Sequence, residues 1–278
     1  MHKSLLLLLL TTACLASQKN FAQSHTLTKI WQSDTLLKVP ESVLFDGNAK
    51  LLYVSNIDGQ PWEKDGRGSI GKVALDGKII NAAWVTGLDA PKGMGHYKNN
   101  LYVADMDNVV VIDIAAGKIA TKINVPGAEG LNDVSVDKKG VVYVTDSKAG
   151  KIYSLVDNKP SLMVQDLKGL NGVLAVDNEL YAVAAGALMK IGADKKPVPV
   201  AQGMEPATDG IEKVAANEFL VSVWNGVIYY VKAGATPQVL LDTREQKSNT
   251  ADIGYDAATR TVYVPTFFKN CIVAYRLQ

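Results

Sequence analysis

A short hydrophobic phrase recurs six times along the chain at nearly regular intervals. Each copy places one aromatic or aliphatic residue between apolar neighbours, and the central residues are Tyr53, Tyr102, Tyr143, Tyr181, Leu220 and Tyr263. Successive centres lie about 38 to about 49 residues apart. Repeats near forty residues, filled with short strands and turns, are typical of β-propellers. The repeat therefore predicts an all-β chain whose blades surround a central channel.

Each repeat has room for four short strands. Stretches of alternating apolar and polar residues are separated by turn signals such as Asp76-Gly77 and Asn225-Gly226. A first strand, for example residues 43–45, would line the channel, and the central phrase would form the second strand. A third strand and an outer strand complete the unit. The pattern thus predicts a six-bladed β-propeller with four-stranded blades.

The two ends of the chain supply a way to close the ring. An open ring would leave unpaired strand edges, which attract other chains. The last repeat ends with residues 272–277, which fit a third strand, and residues 27–32 fit the missing outer strand. We therefore expect N- and C-terminal strands to share the closing blade.

Residues 1–22 have the pattern of a secretory signal peptide. The apolar run at residues 5–10 follows a charged start, precedes small residues and is too short to span a bilayer comfortably. Cleavage after Ala22 would leave residues 23–278 as one propeller, exported to a bacterial periplasm or secreted. The alternative is lipoprotein processing with a lipid anchor at Cys14, because the residues before it resemble a lipobox.

The composition narrows the class of partner. The net charge is +1, with 47% hydrophobic and 21% charged residues, and no run of Lys or Arg occurs. This balance gives no reason to expect nucleic acid or an anionic membrane as partner. The sequence has no His pair with metal spacing, no Gly-x-Ser-x-Gly elbow and no phosphate-binding loop. A small-molecule substrate or ligand remains as the expected partner.

Alignment of the six repeats reveals one shared position just before each first strand, about ten to twelve residues ahead of each centre. These slot residues are Glu41, Lys92, Asn132, Asn171, Asp209 and Ala251. In a propeller this position points into the mouth of the channel. Two carboxylates and two amides form an oxygen set that suits one divalent cation, Ca²⁺ first, with Mg²⁺, Mn²⁺ or Zn²⁺ as alternatives. The other interpretation is that Asn and Asp are turn residues, which explains neither the shared register nor Glu41.

The order of these segments resembles the senescence marker protein/gluconolactonase family, also called regucalcin-like. The residues that carry the resemblance are Pro40-Glu41-Ser42-Val43, Asn132-Asp133, Asn171-Gly172 and Asp209-Gly210-Ile211. The resemblance implies a six-bladed propeller that holds one divalent metal and hydrolyses sugar lactones and related esters. It also implies metal ligands at Glu41, Asn171 and Asp209, a substrate-side Asn132, and Asp209 as the general base.

Two positions depart from that family. Gly130 stands where its lactonases often carry an Arg, so a bidentate donor to substrate is missing. Lys92 lies in the slot itself, where it is also a candidate substrate-binding residue. Its ammonium would either pair with Glu41 or Asp209 and compete with a cation, or extend to the rim. Trp62, in the long insertion 57–68, is a candidate lid over the channel, and the alternative is that it only packs within an exposed loop.

Three functional hypotheses follow. The first is a divalent-metal-dependent hydrolase of a lactone or small ester, with Asp209 and Asn132 as the catalytic pair. The second is a non-catalytic exported ligand-binding propeller, which Lys92 and Gly130 favour. The third is a metal-free lyase or synthase that uses Glu41 as base, as in strictosidine synthase relatives. Fold alone decides none of these.

Overall fold

The structure, a computed structural model, describes residues 24–278 and forms a six-bladed β-propeller. All six sheets have four antiparallel strands, and apart from one 3₁₀ turn the regular structure is β. The predicted fold is confirmed. The proposed signal peptide, its cleavage site and the lipobox cysteine Cys14 lie outside the described residues. Within residues 24–278, no helix has the length and apolar character of a membrane span.

Five blades consist of four consecutive strands, ordered from the channel to the outer edge. The first strand of the described chain, β1 (Leu27–Gln32), belongs to the sixth blade. Blade 1 comprises β2 (Pro40–Asp46), β3 (Leu51–Asn56), β4 (Gly68–Ala74) and β5 (Ile79–Leu88). Blade 2 comprises β6 (Pro91–Tyr97), β7 (Asn100–Asp105), β8 (Asn108–Asp113) and β9 (Lys118–Asn124). Blade 3 comprises β10 (Leu131–Val136), β11 (Val142–Asp146), β12 (Lys151–Val156) and β13 (Lys159–Val164).

The remaining blades follow the same plan until the chain ends. Blade 4 comprises β14 (Leu170–Val176), β15 (Glu179–Ala184), β16 (Ala187–Ile191) and β17 (Pro197–Gln202). Blade 5 comprises β18 (Thr208–Ala215), β19 (Glu218–Val223), β20 (Val227–Lys232) and β21 (Gln238–Asp242). Blade 6 comprises β22 (Gly254–Asp256), β23 (Thr261–Pro265) and β24 (Ile272–Leu277), and the 3₁₀ turn Phe267–Lys269 precedes β24.

The ring closes as the sequence predicts. Strand β1 pairs antiparallel with β24, with Leu27 opposite Leu277 and Gln32 opposite Val273. Beyond this register, the Gln278 N–H donates to the Thr26 carbonyl at 3.0 Å. The closing blade thus joins both ends of the described chain, and its outer edge comes from the N-terminal side.

A β-bulge brings the slot residues into the channel. In five blades, the register between the first two strands shifts across the slot, at Pro40/Ser42, Pro91/Met94, Leu131/Val134, Leu170/Val173 and Thr208/Ile211. A bulge inserts unpaired residues and redirects a side chain, which is why bulges recur beside functional sites. Because the bulge recurs at the same position in five blades, it directs the slot side chains toward the channel.

Neighbouring blades approach closely around the channel, and glycine permits it. A Cβ at Gly93 would lie 2.2 Å from Asp133 Oδ1, and one at Gly210 would lie 2.4 Å from Asp252 Oδ1. Farther out, apolar side chains fill the spaces between blades. Tyr181 and Phe219, for example, pack with their ring centroids 4.8 Å apart. The rigid interblade packing fixes the channel geometry.

Candidate functional site

Five slot residues meet in one cavity at the mouth of the channel. This mouth cavity has a volume of about 200 Å³. It is lined by the slot residues Glu41, Lys92, Asn132, Asn171 and Asp209, and by Ile57, Pro61, Trp62, Trp224 and Phe267 from loops. The structure therefore brings together every site residue that the sequence pointed to. The sixth slot residue, Ala251, is fully buried and packs in an apolar cluster with Ile57 and Phe267.

Within residues 24–278, two of the predicted metal ligands each have a buried side-chain oxygen without a hydrogen-bond partner. These oxygens are Glu41 Oε2 and Asn171 Oδ1. A buried acceptor that lacks a partner costs about 1–3 kcal/mol, so natural proteins rarely leave one empty without a reason. Asp209 completes a set of two carboxylates and one amide beside the same cavity. Among residues 24–278, no cluster of three or more His, Cys, Asp and Glu is arranged for a metal.

The donor chemistry nevertheless fits a hard cation. Ca²⁺ takes six to eight oxygen ligands from carboxylates, amide carbonyls and water, so three protein groups would form part of its shell. The two unpartnered oxygens belong to a carboxylate and to an amide carbonyl, and Ca²⁺ accepts both as ligands. The residues present therefore match an oxygen-coordinated ion that also binds water or substrate.

Burial changes the acidity of both mouth carboxyls. It raises the pKa of Asp209 to about 7, and the charge of Asp133 adds to the rise, while Lys92 and the Asn171 side chain act in the opposite direction. Burial likewise raises the pKa of Glu41 well above its usual value; Lys92 lowers it, and the charges of Asp209 and Asp133 raise it further. Asp209 thus titrates near neutrality, which suits a group that accepts and returns a proton.

Lys92 adopts neither of the two expected arrangements. Its side chain is 2% exposed, so it does not extend to the rim. Its Nζ donates to the Pro61 carbonyl at 2.6 Å and to the Ala90 carbonyl at 3.3 Å. Within the described residues, no carboxylate oxygen lies within 4.0 Å of Nζ, so it forms no direct ion pair with Glu41. Burial lowers the Lys92 pKa, and the Glu41 charge raises it.

Three residues of the insertion 57–68, namely Ile57, Pro61 and Trp62, line the mouth cavity. The Trp62 ring has the Lys92 Nζ at 4.3 Å and the Lys148 Nζ at 4.5 Å from the ring centroid. Such cation–π contacts hold a ring in place. A Cβ on Gly130 would lie 2.8 Å from the Lys148 side chain and 2.9 Å from Trp62. The missing side chain at Gly130 is therefore what lets Trp62 and Lys148 occupy this space.

Two aromatic residues that line the cavity come from blades 5 and 6. Trp224 follows β19, and its ring meets the Phe267 ring edge-on, with centroids 5.5 Å apart. Phe267 has a φ of +50°, a left-handed conformation that is strained for a bulky residue. The sequence reasoning missed Phe267. The pair Phe267-Phe268, three residues after the end of the sixth central phrase at Val264, was the signal that would have drawn attention to it.

A second row of carboxyls follows the slots, and the sequence reasoning missed it too. Asp133 Oδ2 accepts the Val173 N–H at 2.7 Å, and Asp252 Oδ2 accepts the Ser42 hydroxyl at 2.5 Å. Both bonds join neighbouring blades. Burial raises the pKa of Asp133 to about 6 and that of Asp252 well above its usual value. With Glu212, these carboxyls line a lower cavity of about 270 Å³ further along the channel. The same alignment, moved by one residue, would have revealed Asp133 and Asp252.

Comparison with known proteins supports the fold. No family model matches the chain, and no curated protein matches it. Among solved structures, a catalytically inactive virginiamycin B lyase from Staphylococcus aureus with quinupristin has a TM-score of 0.63 and 14% identity, covering 91% of this chain and 99% of that one. A streptogramin B lyase has a TM-score of 0.63 and 12% identity, covering 92% and 98%.

A third similar structure has no known role. It is a structural genomics protein of unknown function from Bacteroides thetaiotaomicron, with a TM-score of 0.66 and 15% identity. It covers 92% of this chain, which matches 76% of that one. Likeness at such low identity shows the propeller fold, and the fold is shared by enzymes and by proteins of unknown function.

Proposed function

We propose that the protein hydrolyses a lactone or small ester in the mouth cavity. A divalent cation, Ca²⁺ first, would be held by Glu41, Asn171 and Asp209. The observation that carries the proposal is the pair of buried, unpartnered oxygens, Glu41 Oε2 and Asn171 Oδ1, beside the same small cavity. The export predicted from residues 1–22 would place this activity outside the cytoplasm.

When bound, the cation would supply Lewis acidity toward the substrate carbonyl and toward the attacking water. Asp209 accepts a proton as the water oxygen bonds to the carbonyl carbon. The acyl C–O bond then breaks, and Asp209 returns the proton to the leaving oxygen. Asn132 orients the substrate through its side-chain amide. These roles are proposals for residues that the structure places around one cavity.

Lys92 contributes positive charge without taking the place of the cation. An ammonium has three N–H bonds, and two of them point to the Pro61 and Ala90 carbonyls. Among the described residues the third N–H has no hydrogen-bond acceptor, and in this proposal it donates to a substrate oxygen. Trp62 lines the same cavity, with its ring centroid 4.3 Å from the Lys92 Nζ. Lys92 therefore acts as a substrate-binding residue in this proposal.

Calorimetric titration tests the cation site. The wild type should bind Ca²⁺, or one of Mg²⁺, Mn²⁺ and Zn²⁺, and lactone hydrolysis should stop with chelator and return with metal. Asp209→Asn and Glu41→Gln should each weaken cation binding at least about tenfold, because each removes a charged ligand. Glu212→Gln is the matched control, since it removes a carboxyl from the lower cavity only. A wild type that binds no cation and hydrolyses no lactone or ester refutes the proposal.

A second candidate is a non-catalytic ligand-binding propeller. It is favoured by one observation, the fully buried Lys92 ammonium that lines the same cavity as two carboxyls. If Lys92 replaces the cation, the wild type binds no divalent ion and Lys92→Met gains that binding. If the hydrolase proposal is right, the wild type already binds the ion, and Lys92→Met changes substrate affinity instead.

A further inference from the structure

The mouth cavity has two chemically different sides. In a ring of six blades, the slot of blade 6 faces the slot of blade 3 across the channel. Blade 3 supplies Asn132, whereas blade 6 supplies the fully buried Ala251. The amide of Asn171 lies on the polar side as well. The inference below rests on the proposed function, because it concerns the ligand of the same cavity.

Ile57, Trp224 and Phe267 form an apolar part of the lining near Ala251, whose slot lies between those of Asp209 in blade 5 and Glu41 in blade 1. Phe267 is 3% exposed and packs with Ile57 and Ala251, yet it also lines the mouth cavity. Trp224 packs edge-on against it. The Trp62 ring already interacts with two lysine ammoniums. Trp224 is 37% exposed and has no such cation partner among the described residues, and the buried Phe267 lines the cavity beside it.

The backbone that presents this apolar part of the lining is strained at two positions. Phe267 has a φ of +50°, and Val39, which packs against the same apolar cluster, has a φ of +51°. The Val39 N–H donates to Asn270 Oδ1 at 3.0 Å, so the two strained segments are tied together. Bulky and β-branched residues rarely adopt this conformation, and such outliers concentrate at ligand sites. The fold thus maintains an unfavourable conformation that turns Phe267 toward the cavity.

The volume and chemistry of the cavity restrict the ligand. A cavity of about 150 Å³ holds benzene in another protein, so about 200 Å³ accommodates one ring with an attached or fused ester. A sugar lactone carries hydroxyls around its whole ring. Hydroxyls against Phe267 and Trp224 would lose water without gaining a partner, which is unfavourable.

We propose that the ligand is an aromatic or alicyclic lactone or ester, not a polyhydroxylated sugar lactone. Its ring packs on Trp224 and Phe267. Its carbonyl faces the polar slot residues, which include Asn132, Lys92 and the proposed general base Asp209. The missing Arg at position 130 fits this ligand, because such a ring offers no row of hydroxyls for a bidentate donor.

Non-hydrolysable probes test the inference separately from catalysis. The first probe is 3,4-dihydroquinolin-2-one, an aromatic lactam, and the second is D-glucono-δ-lactam. Both are titrated calorimetrically into the full protein, with and without Ca²⁺. The aromatic lactam should bind at least about tenfold more tightly. Phe267→Leu and Trp224→Leu should each weaken it on the order of tenfold, because each removes an aromatic contact surface.

Tyr97→Leu is the matched control. Tyr97 ends β6, away from the slot at Lys92, and does not line the mouth cavity, so its variant should bind the aromatic lactam like the wild type. Tighter binding of the sugar lactam, no binding of the aromatic lactam, or equal losses in all three variants would overturn the inference. If Phe267→Leu does not fold, Trp224→Leu, which changes a 37% exposed loop residue, decides the question. Binding of the aromatic lactam by a protein that hydrolyses no ester supports the inference while refuting the hydrolase.

Discussion

Glu212 gives the propeller a stability that should fall as pH rises. It lies on β18 and lines the lower cavity. Burial raises its pKa to about 8, and the charge of Asp133 adds to the rise, while the Tyr255 backbone N–H opposes it. The folded chain therefore favours the protonated acid at neutral pH, where the unfolded chain would ionise. Glu212→Gln replaces this acid by a neutral group of nearly the same shape.

The sign and size of the effect follow from the two pKa values. The folded value, about 8, exceeds the unfolded value, 4.5. The stabilisation that Glu212 contributes is therefore fully present below pH 4.5 and is lost progressively as the pH rises to about 8. Since one pKa unit corresponds to 1.36 kcal/mol, the ceiling is about 5 kcal/mol. Glu212 is only partly buried and local water can enter when it ionises, so we expect about 1–3 kcal/mol between pH 5 and pH 8.5.

Thermal unfolding over this pH range, with chelator present, measures the effect. For a protein of this size, each kcal/mol changes Tm by roughly 2–4 °C. The Tm of Glu212→Gln relative to the wild type should therefore rise by several degrees between pH 5 and pH 8.5. Glu218→Gln is the control, because the Tyr230 hydroxyl donates to Glu218 at 2.7 Å and its pKa is lowered instead. Its difference from the wild type should stay constant above pH 5. Parallel curves for the wild type and Glu212→Gln would refute the reasoning.

Two further substitutions test the lid and the interblade bonds. Gly130→Arg should displace Trp62 and Lys148, because even a Cβ would lie 2.8–2.9 Å from them. We expect a red shift of the tryptophan fluorescence and a loss of about 1–3 kcal/mol in the free energy of unfolding. An unchanged spectrum would contradict this expectation. Asp133→Asn should destabilise the fold by about 1–3 kcal/mol in urea titrations. The carboxylate accepts the Val134 N–H on one oxygen and the Val173 N–H on the other, whereas an amide has only one oxygen. An unaltered unfolding midpoint would show that the Val173 bond contributes nothing to stability.

The fold was accessible from the sequence because a propeller repeats in space as it repeats in the chain. The six hydrophobic phrases became the second strands of six blades, and residues 27–32 closed the ring against β24. Residues at equivalent positions of the sequence repeat therefore occupy equivalent positions in their blades. Positions in the same phase of the repeat, such as Glu41 and Asp209, reached the same channel mouth although 168 positions separate them (209 − 41).

The features of the site that the sequence missed or predicted wrongly do not follow from the position of a residue in the repeat. The sequence placed Lys92 in the slot, but the position of its Nζ depends on a hydrogen bond to the Pro61 carbonyl in the insertion 57–68. Phe267 reaches the cavity only through a left-handed backbone conformation. No spacing rule predicts either contact, because each depends on how an irregular loop folds back over the channel.

The sequence by itself determined the blade number, the closure and the ring of slot residues, since strand periodicity and repeat length are local properties of the chain. Only the tertiary structure decided what surrounds that ring. It left Glu41 Oε2 and Asn171 Oδ1 without partners, and it placed Trp62 in the space beside Gly130. Those features depend on residues from different blades, which come together only when the ring has closed.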